Sequence, residues 1–159
     1  MRKFIYQSIV EKISAEIPEV AHFALWNNQL ADIQGEIPFA LPAVLIEFRP
    51  IRWRHQGNGV REAAVEIALH VLTPTMTEMP GSDESLEFLD LLTDINRALH
   101  RHHKTDDYFG HDALTATESN TDNNCGEIRH DIEVFLCHAM DCAAMPGYQK
   151  RKVTVDIQT

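Results

Sequence analysis

Val60-Arg-Glu-Ala-Ala-Val-Glu-Ile-Ala-Leu-His-Val-Leu72 is the stretch whose reading decides the fold. Val65, Ile67, Leu69 and Val71 alternate with Glu66, Ala68, His70 and Leu72, the period-two pattern of a strand with one buried face. The opposite set is mixed, so that face meets water or another subunit. Upstream, Ala43 to Phe48 is a second apolar run, and Gln56-Gly57-Asn58-Gly59 supplies residues that tolerate positive φ at a hairpin tip. Residues 42–72 are therefore expected to form one long antiparallel hairpin. Pro50 removes a backbone donor, which implies an edge position or a bulge between Phe48 and Gly57.

The flanking segments supply cover for this hairpin and further strands beside it. Ile5, Ile9, Ile13 and Ile17 lie four apart over residues 3–17, an amphipathic helix closed by Pro18. His22 to Trp26 fits a short strand turned away by Asn27-Asn28, and Ile33 to Pro42 an irregular connection. Thr73 to Ser82 is a loop by its Pro74, Pro80 and Gly81. The spacing of Leu86, Leu89, Leu92, Ile95 and Leu99 then gives a helix from Ser85 to about His102 or His103, with Ser82 or Asp83 able to cap it. Ala113 to Ser119 and Glu127 to His138 alternate as a second hairpin, with Ile128, Ile132, Val134 and Leu136 on one face and Asp131, Glu133, Phe135 and Cys137 on the other. Val153, Val155 and Ile157 alternate in a last segment, either a strand or an arm that orders on a neighbour. The expectation is an α+β fold: a mostly antiparallel sheet with a long β-hairpin and two main amphipathic helices packed on one face. Residues 1–142 form one domain and residues 143–159 a C-terminal extension.

Composition narrows the function. A chain of 159 residues with 44% hydrophobic and 24% charged residues is long enough to close a single core. The net charge of −10 disfavours nucleic-acid recognition, because neutralising phosphates requires a surplus of Lys and Arg. No apolar run reaches the roughly 20 residues that span a bilayer, and no apolar signal segment follows the basic start, so a cytoplasmic location is expected. Cys125, Cys137 and Cys142 leave an odd thiol under any intramolecular pairing, which favours free thiols in a reducing compartment.

Three constellations invite chemistry. His100 and His103 are spaced to share a helical face, with His102 and His111 near in sequence, but no Cys or carboxylate completes a metal pattern there. Cys137-His138, Cys142, His130 and Cys125 contain no CxxC pair, and strand alternation puts His130 and His138 on the face opposite Cys137. Glu62 with Glu66, or Glu127 with Asp131 and Glu133, are potential paired carboxylates, although such groups on an open strand face ordinarily solvate it. No Gly-rich phosphate loop, GxSxG or HExxH is present. The expectation is a protein that is not an enzyme and uses no cofactor and no metal. Ile51, Trp53, Met76 and Met79 sit in a hairpin arm and a loop, and are the candidate contact residues for a subunit interface. Arg52 and Arg54 are placed to match an acidic neighbour.

The element order resembles that of phage tail terminator and tail completion proteins. The resemblance lies in Ile5 to Ile17, Pro42-Ala43-Val44-Leu45-Ile46-Glu47-Phe48, Val65 to Val71, Ser85 to Leu99 with its Leu91-Leu92-Thr93-Asp94-Ile95-Asn96-Arg97-Ala98-Leu99 core, and Ile132-Glu133-Val134-Phe135. It spans most of residues 3–138 and rests on element order and apolar pattern. It implies a prophage virion assembly protein whose subunits form a ring, commonly of six, that caps the tail tube and joins it to the head. Its partners would then be copies of itself and tail-tube or head–tail connector proteins, with no nucleic-acid sequence recognition and no membrane. The rival expectations are a small metal-dependent enzyme built around His100 and His103, and a host adaptor domain.

Overall fold

The computed structural model describes residues 1–32, 38–75, 87–122 and 128–146. In chain order these form α1 (Arg2–Glu16), β1 (His22–Leu25), a short 3-10 turn (Gln29–Asp32), β2 (Ala43–Phe48), β3 (Arg54–Gly57), β4 (Val60–Pro74), α2 (Glu87–Leu99), β5 (Lys104–Thr105), β6 (Phe109–His111), β7 (Thr115–Asp122) and β8 (Ile128–Asp141).

Two long antiparallel strands, β4 and β8, form the spine, paired from Arg61 opposite Asp141 to Pro74 opposite Ile128. On the free edge of β4, β2 and β3 follow one another and give the expected long hairpin, with residues 50–53 leaving the ladder around Pro50. The tip is a two-residue turn, Asn58 at φ 48° and Gly59 at φ 77°, whose positive values match the right-handed twist of the paired strands. Gly59 has a second constraint: a Cβ there would lie 2.1 Å from the Ala144 carbonyl oxygen, so the chain leaving β8 passes against the tip. On the free edge of β8 lie β7 and β6. β1 adds parallel to β2, β5 adds to β6, and the sheet order is β1-β2-β4-β8-β6-β5.

Both helices cover one face of this sheet. The α1 stripe of Ile5, Ile9 and Ile13 and the α2 stripe of Leu91, Ile95 and Leu99 enter one buried cluster with Val44 and Ile46 of β2, Val65, Ile67, Leu69 and Val71 of β4, and Phe135, Cys137 and Ala139 of β8. Burying each large aliphatic side chain contributes about 1.5–3 kcal/mol, so this layer supplies most of the driving force. A smaller cluster lies on the opposite, outer face, where Trp26, Leu30, Phe39 and Leu41 cover Ala43, Leu45, Leu72 and Ile128.

Several boundaries differ from expectation. The second helix ends at Leu99, short of His102, because Arg101 turns into the left-handed region at φ 66° and its N–H donates to the Leu114 carbonyl oxygen at 2.8 Å. The polar stretch after it holds the short β5–β6 hairpin, turned by Asp106, whose Oδ1 accepts from the N–H groups of Tyr108 and Phe109. β7 runs to Asp122 and β8 to Asp141, each past the expected end. In β8 the core side is the more polar set. Cys137 sits opposite Val65 and Phe135 opposite Ile67, so the register that buries β4 carries Asp131 and Glu133 to the helix side as well. The alternating segment Val153 to Ile157, with most of the 143–159 extension, lies outside the described residues.

Candidate functional site

The arm residues occupy two environments. Ile51 and Trp53 are half-buried and pack against the main core cluster, whereas Arg52 and Arg54 are exposed. The Arg61 guanidinium lies 4.5 Å from the centre of the Trp53 ring and donates to Asp141 Oδ2 from two nitrogens, at 2.7 and 3.0 Å. The tip end of the arm is thereby fixed to β8. Burial alone would raise the Asp141 carboxyl; the Ala143 N–H and Arg61 outweigh it and hold it below its usual range. A groove of ≈ 450 Å³ runs beside the arm, lined in part by Arg52, Trp53, Arg54, Glu62 and His138. Met76 and Met79 lie outside the described residues.

The histidines regroup. With the helix ended at Leu99, His100 and His103 share no helical face and both are exposed. His102 turns inward instead and meets His111 at Ser8 of α1, whose Oγ lies 2.8 Å from His102 Nε2 and 2.9 Å from His111 Nε2. His111 Nδ1 donates to the Asp112 carbonyl oxygen, so its Nε2 accepts from Ser8 while His102 donates to Ser8. Burial lowers both imidazoles from the usual histidine value. Ser8 and His111 are 1% and 2% exposed, which seals this serine from any substrate and makes the trio a structural joint between α1 and the sheet.

A second pair was not signalled by spacing. His70 of β4 and His130 of β8 lie on the outer face, with His70 Nδ1 2.8 Å from His130 Nε2. Glu47 Oε2 is 3.1 Å from the other nitrogen of His70, and Asp122 Oδ2 is 3.5 Å from the other nitrogen of His130. The Trp26 ring stacks on His70 at 3.9 Å. In the sequence His70 stands amid the apolar residues of β4 and His130 groups with Cys125, Cys137 and Cys142, and neither signal reveals the partner. Among the described residues no group of three or more His, Cys, Asp or Glu is arranged to hold a metal ion.

The carboxylates correct one expectation. Asp131 and Glu133 do not solvate an open face; they are 2% and 3% exposed beside α2. Asp131 accepts from Arg129 Nε at 2.8 Å and Thr121 Oγ1 at 2.6 Å, and Glu133 accepts from Asn96 Nδ2 at 2.9 Å and Ser119 Oγ at 2.6 Å. The Arg129 guanidinium also stacks 3.7 Å from the centre of the Phe88 ring. Such bonding compensates the cost of burying carboxylates and fastens the β7 edge and α2 to the spine. Glu62 and Glu66 do lie on the outer face, and Glu127 lies outside the described residues. Cys137 and Cys142 are free, and burial pushes the Cys137 thiol up to about 12, leaving it inert as a nucleophile. Cys125 is outside the described residues.

Toward the arm end of the outer sheet face, Leu136 and Met140 are 37% and 51% exposed among the described residues. Among the described residues no helix is long and apolar enough to cross a membrane.

No protein-family model matches this chain, and no curated protein matches it in sequence. Among solved structures, a chain from the virion of a native gene transfer agent particle has a similar fold. It superposes with a TM-score of 0.51 at 10% identity, over 86% of this chain and 94% of that one.

Proposed function

We propose that this protein is a structural component of a phage-like virion, of the tail terminator or tail completion type, encoded by a prophage. It acts by ring-like self-association and by docking to a tail-tube or head-connector protein, and makes or breaks no bond. The observation that carries this reading is the fold similarity to a chain of the gene transfer agent virion, which extends over nearly the whole length of both chains. The arm is consistent with it: Arg61 and Asp141 brace it near its tip, while the exposed Arg52 and Arg54 present positive charge on a chain of net charge −10. Opposite potentials on two surfaces of one subunit favour head-to-tail contacts, the geometry that closes rings.

Ile51, Arg52, Trp53, Arg54, Met76 and Met79 are the proposed contact residues. Trp53→Ala is expected to weaken self-association, but Trp53 also packs on the core, so stability falls with it. Reversing Arg52 and Arg54 to Glu probes the contact alone, because both side chains are exposed. Sedimentation of the doubly reversed chain is expected to show smaller species than the parent at unchanged thermal stability. Identical sedimentation of an oligomeric parent and its variant would remove the arm from the interface.

A further inference from the structure

The outer-face histidine pair carries an inference independent of the virion reading. Each of four adjacent strands contributes one side chain: Glu47 from β2, His70 from β4, His130 from β8 and Asp122 from β7. Their ring nitrogens and carboxylates alternate along one line, Glu47 to His70 to His130 to Asp122, with separations of 3.1, 2.8 and 3.5 Å. The line crosses these four strands beneath Trp26, which stacks on both rings, at 3.9 Å from His70 and 5.4 Å from His130.

Proton counting determines what this line can do. It has three positions for a shared proton, and two neutral imidazoles bring two protons. With both rings neutral, His70 donates to Glu47 and His130 donates to His70, or both bonds run the other way toward Asp122. One added proton fills the third position and completes the chain, giving a single imidazolium between two carboxylates. A second added proton has no place in it: His70 Nδ1 and His130 Nε2 would each carry hydrogen across a separation of 2.8 Å. Two like charges at that distance, largely shielded from water, repel strongly.

We propose that Glu47, His70, His130 and Asp122 form an acid-operated clamp: it tolerates one added proton, and a second breaks it, releasing the Trp26 cover from the outer face of the sheet. The cover is the apolar layer of Trp26, Leu30, Phe39 and Leu41, which closes only the smaller of the two cores, so its release leaves the helix-covered core intact. The described ionisable groups acting on the pair are Glu47 and Arg49 from the β2 side, Asp122 of β7 and Asp131 of β8. His22 belongs to the same side of the sheet and stacks on Phe39 within the cover. Burial lowers both rings; Glu47 pulls His70 and Asp122 pulls His130 back up, while the charge on His130 opposes a second proton on His70, which lies at about 4. The two added protons are therefore taken up in separate steps that belong to the pair.

The test uses the full chain carrying Trp53→Phe, which leaves Trp26 as its sole indole. Its emission maximum is followed from neutral pH into acid beside far-ultraviolet circular dichroism. The expected result is a red shift of Trp26 to that of a solvent-exposed indole, complete before the dichroism changes. In the same background His130→Gln leaves one titrating ring and a side chain that can accept its proton, so the early red shift disappears. A parent whose red shift coincides with loss of dichroism, or a His130→Gln chain that keeps the early shift, would overturn the proposal. Ring-nitrogen NMR of the unsubstituted chain tests it without that variant. The two rings are expected to take up their protons in two separate steps; two rings titrating together at the ordinary histidine value would also overturn it.

Discussion

The two faces of the sheet are built on opposite plans. The helix-covered face is a continuous apolar layer from Phe4 to Ala139, and its polar groups, Asp131 and Glu133 beside α2 and Asp141 beneath Arg61, are tied to fixed donors. The outer face has a small apolar patch and a histidine line at one end and, among the described residues, the exposed Leu136 and Met140 toward the other. The larger apolar layer lies on the first face, and the coupled histidine pair on the second.

Adjacent residues of β8 make the contrast measurable. Phe135 is 1% exposed on the helix side, and Phe135→Ala is expected to cost about 3–5 kcal/mol in denaturant unfolding. A loss below about 1 kcal/mol would mean that the helix layer is not the principal core.

The next effect belongs to the outer face and depends on pH. His70, with its value lowered from 6.5 to about 4, binds fewer protons folded than unfolded. Its contribution is therefore present above pH 6.5 and is lost as the pH falls toward 4, amounting to roughly 3 kcal/mol at full loss. His102, His111 and His130 are lowered in the same direction and add to the acid sensitivity. The urea midpoint should fall steadily on acidification through this window, and His70→Gln should flatten the fall.

Glu133→Ala should cost about 2 kcal/mol, because it leaves the Asn96 amide and the Ser119 hydroxyl beside α2 without their acceptor. The smallest effect is expected one residue from Phe135. Leu136→Ser should change stability by less than about 0.5 kcal/mol, since Leu136 is 37% exposed.

The sequence was most legible where one periodicity ran uninterrupted. The alternation from Val65 to Val71, the Asn58-Gly59 turn and the stripes of α1 and α2 each specified an element and its buried side. Legibility failed where tertiary bonds overrode local pattern. The helix ends at Leu99 because Arg101 pairs with Leu114, a partner that no local spacing announces. β5 and β6 are too short to show a period. The faces of β8 were ambiguous by hydrophobicity, since Ile132 and Val134 compete with Phe135 and Cys137, and the β4 register decided for the latter. The candidate sites followed the same rule. His100 and His103 looked paired on a helix that stops before His103, while His70 and His130 meet from strands 60 residues apart.

The proposal that this chain works by assembly is tested most directly by sedimentation of the purified protein over a wide concentration range, beside the chain in which Arg52 and Arg54 are both Glu. The expected result is a discrete multi-copy species for the parent that shifts to smaller species in the variant. A parent that stays monomeric at every concentration, and also fails to close into rings on purified tail tubes, would contradict it.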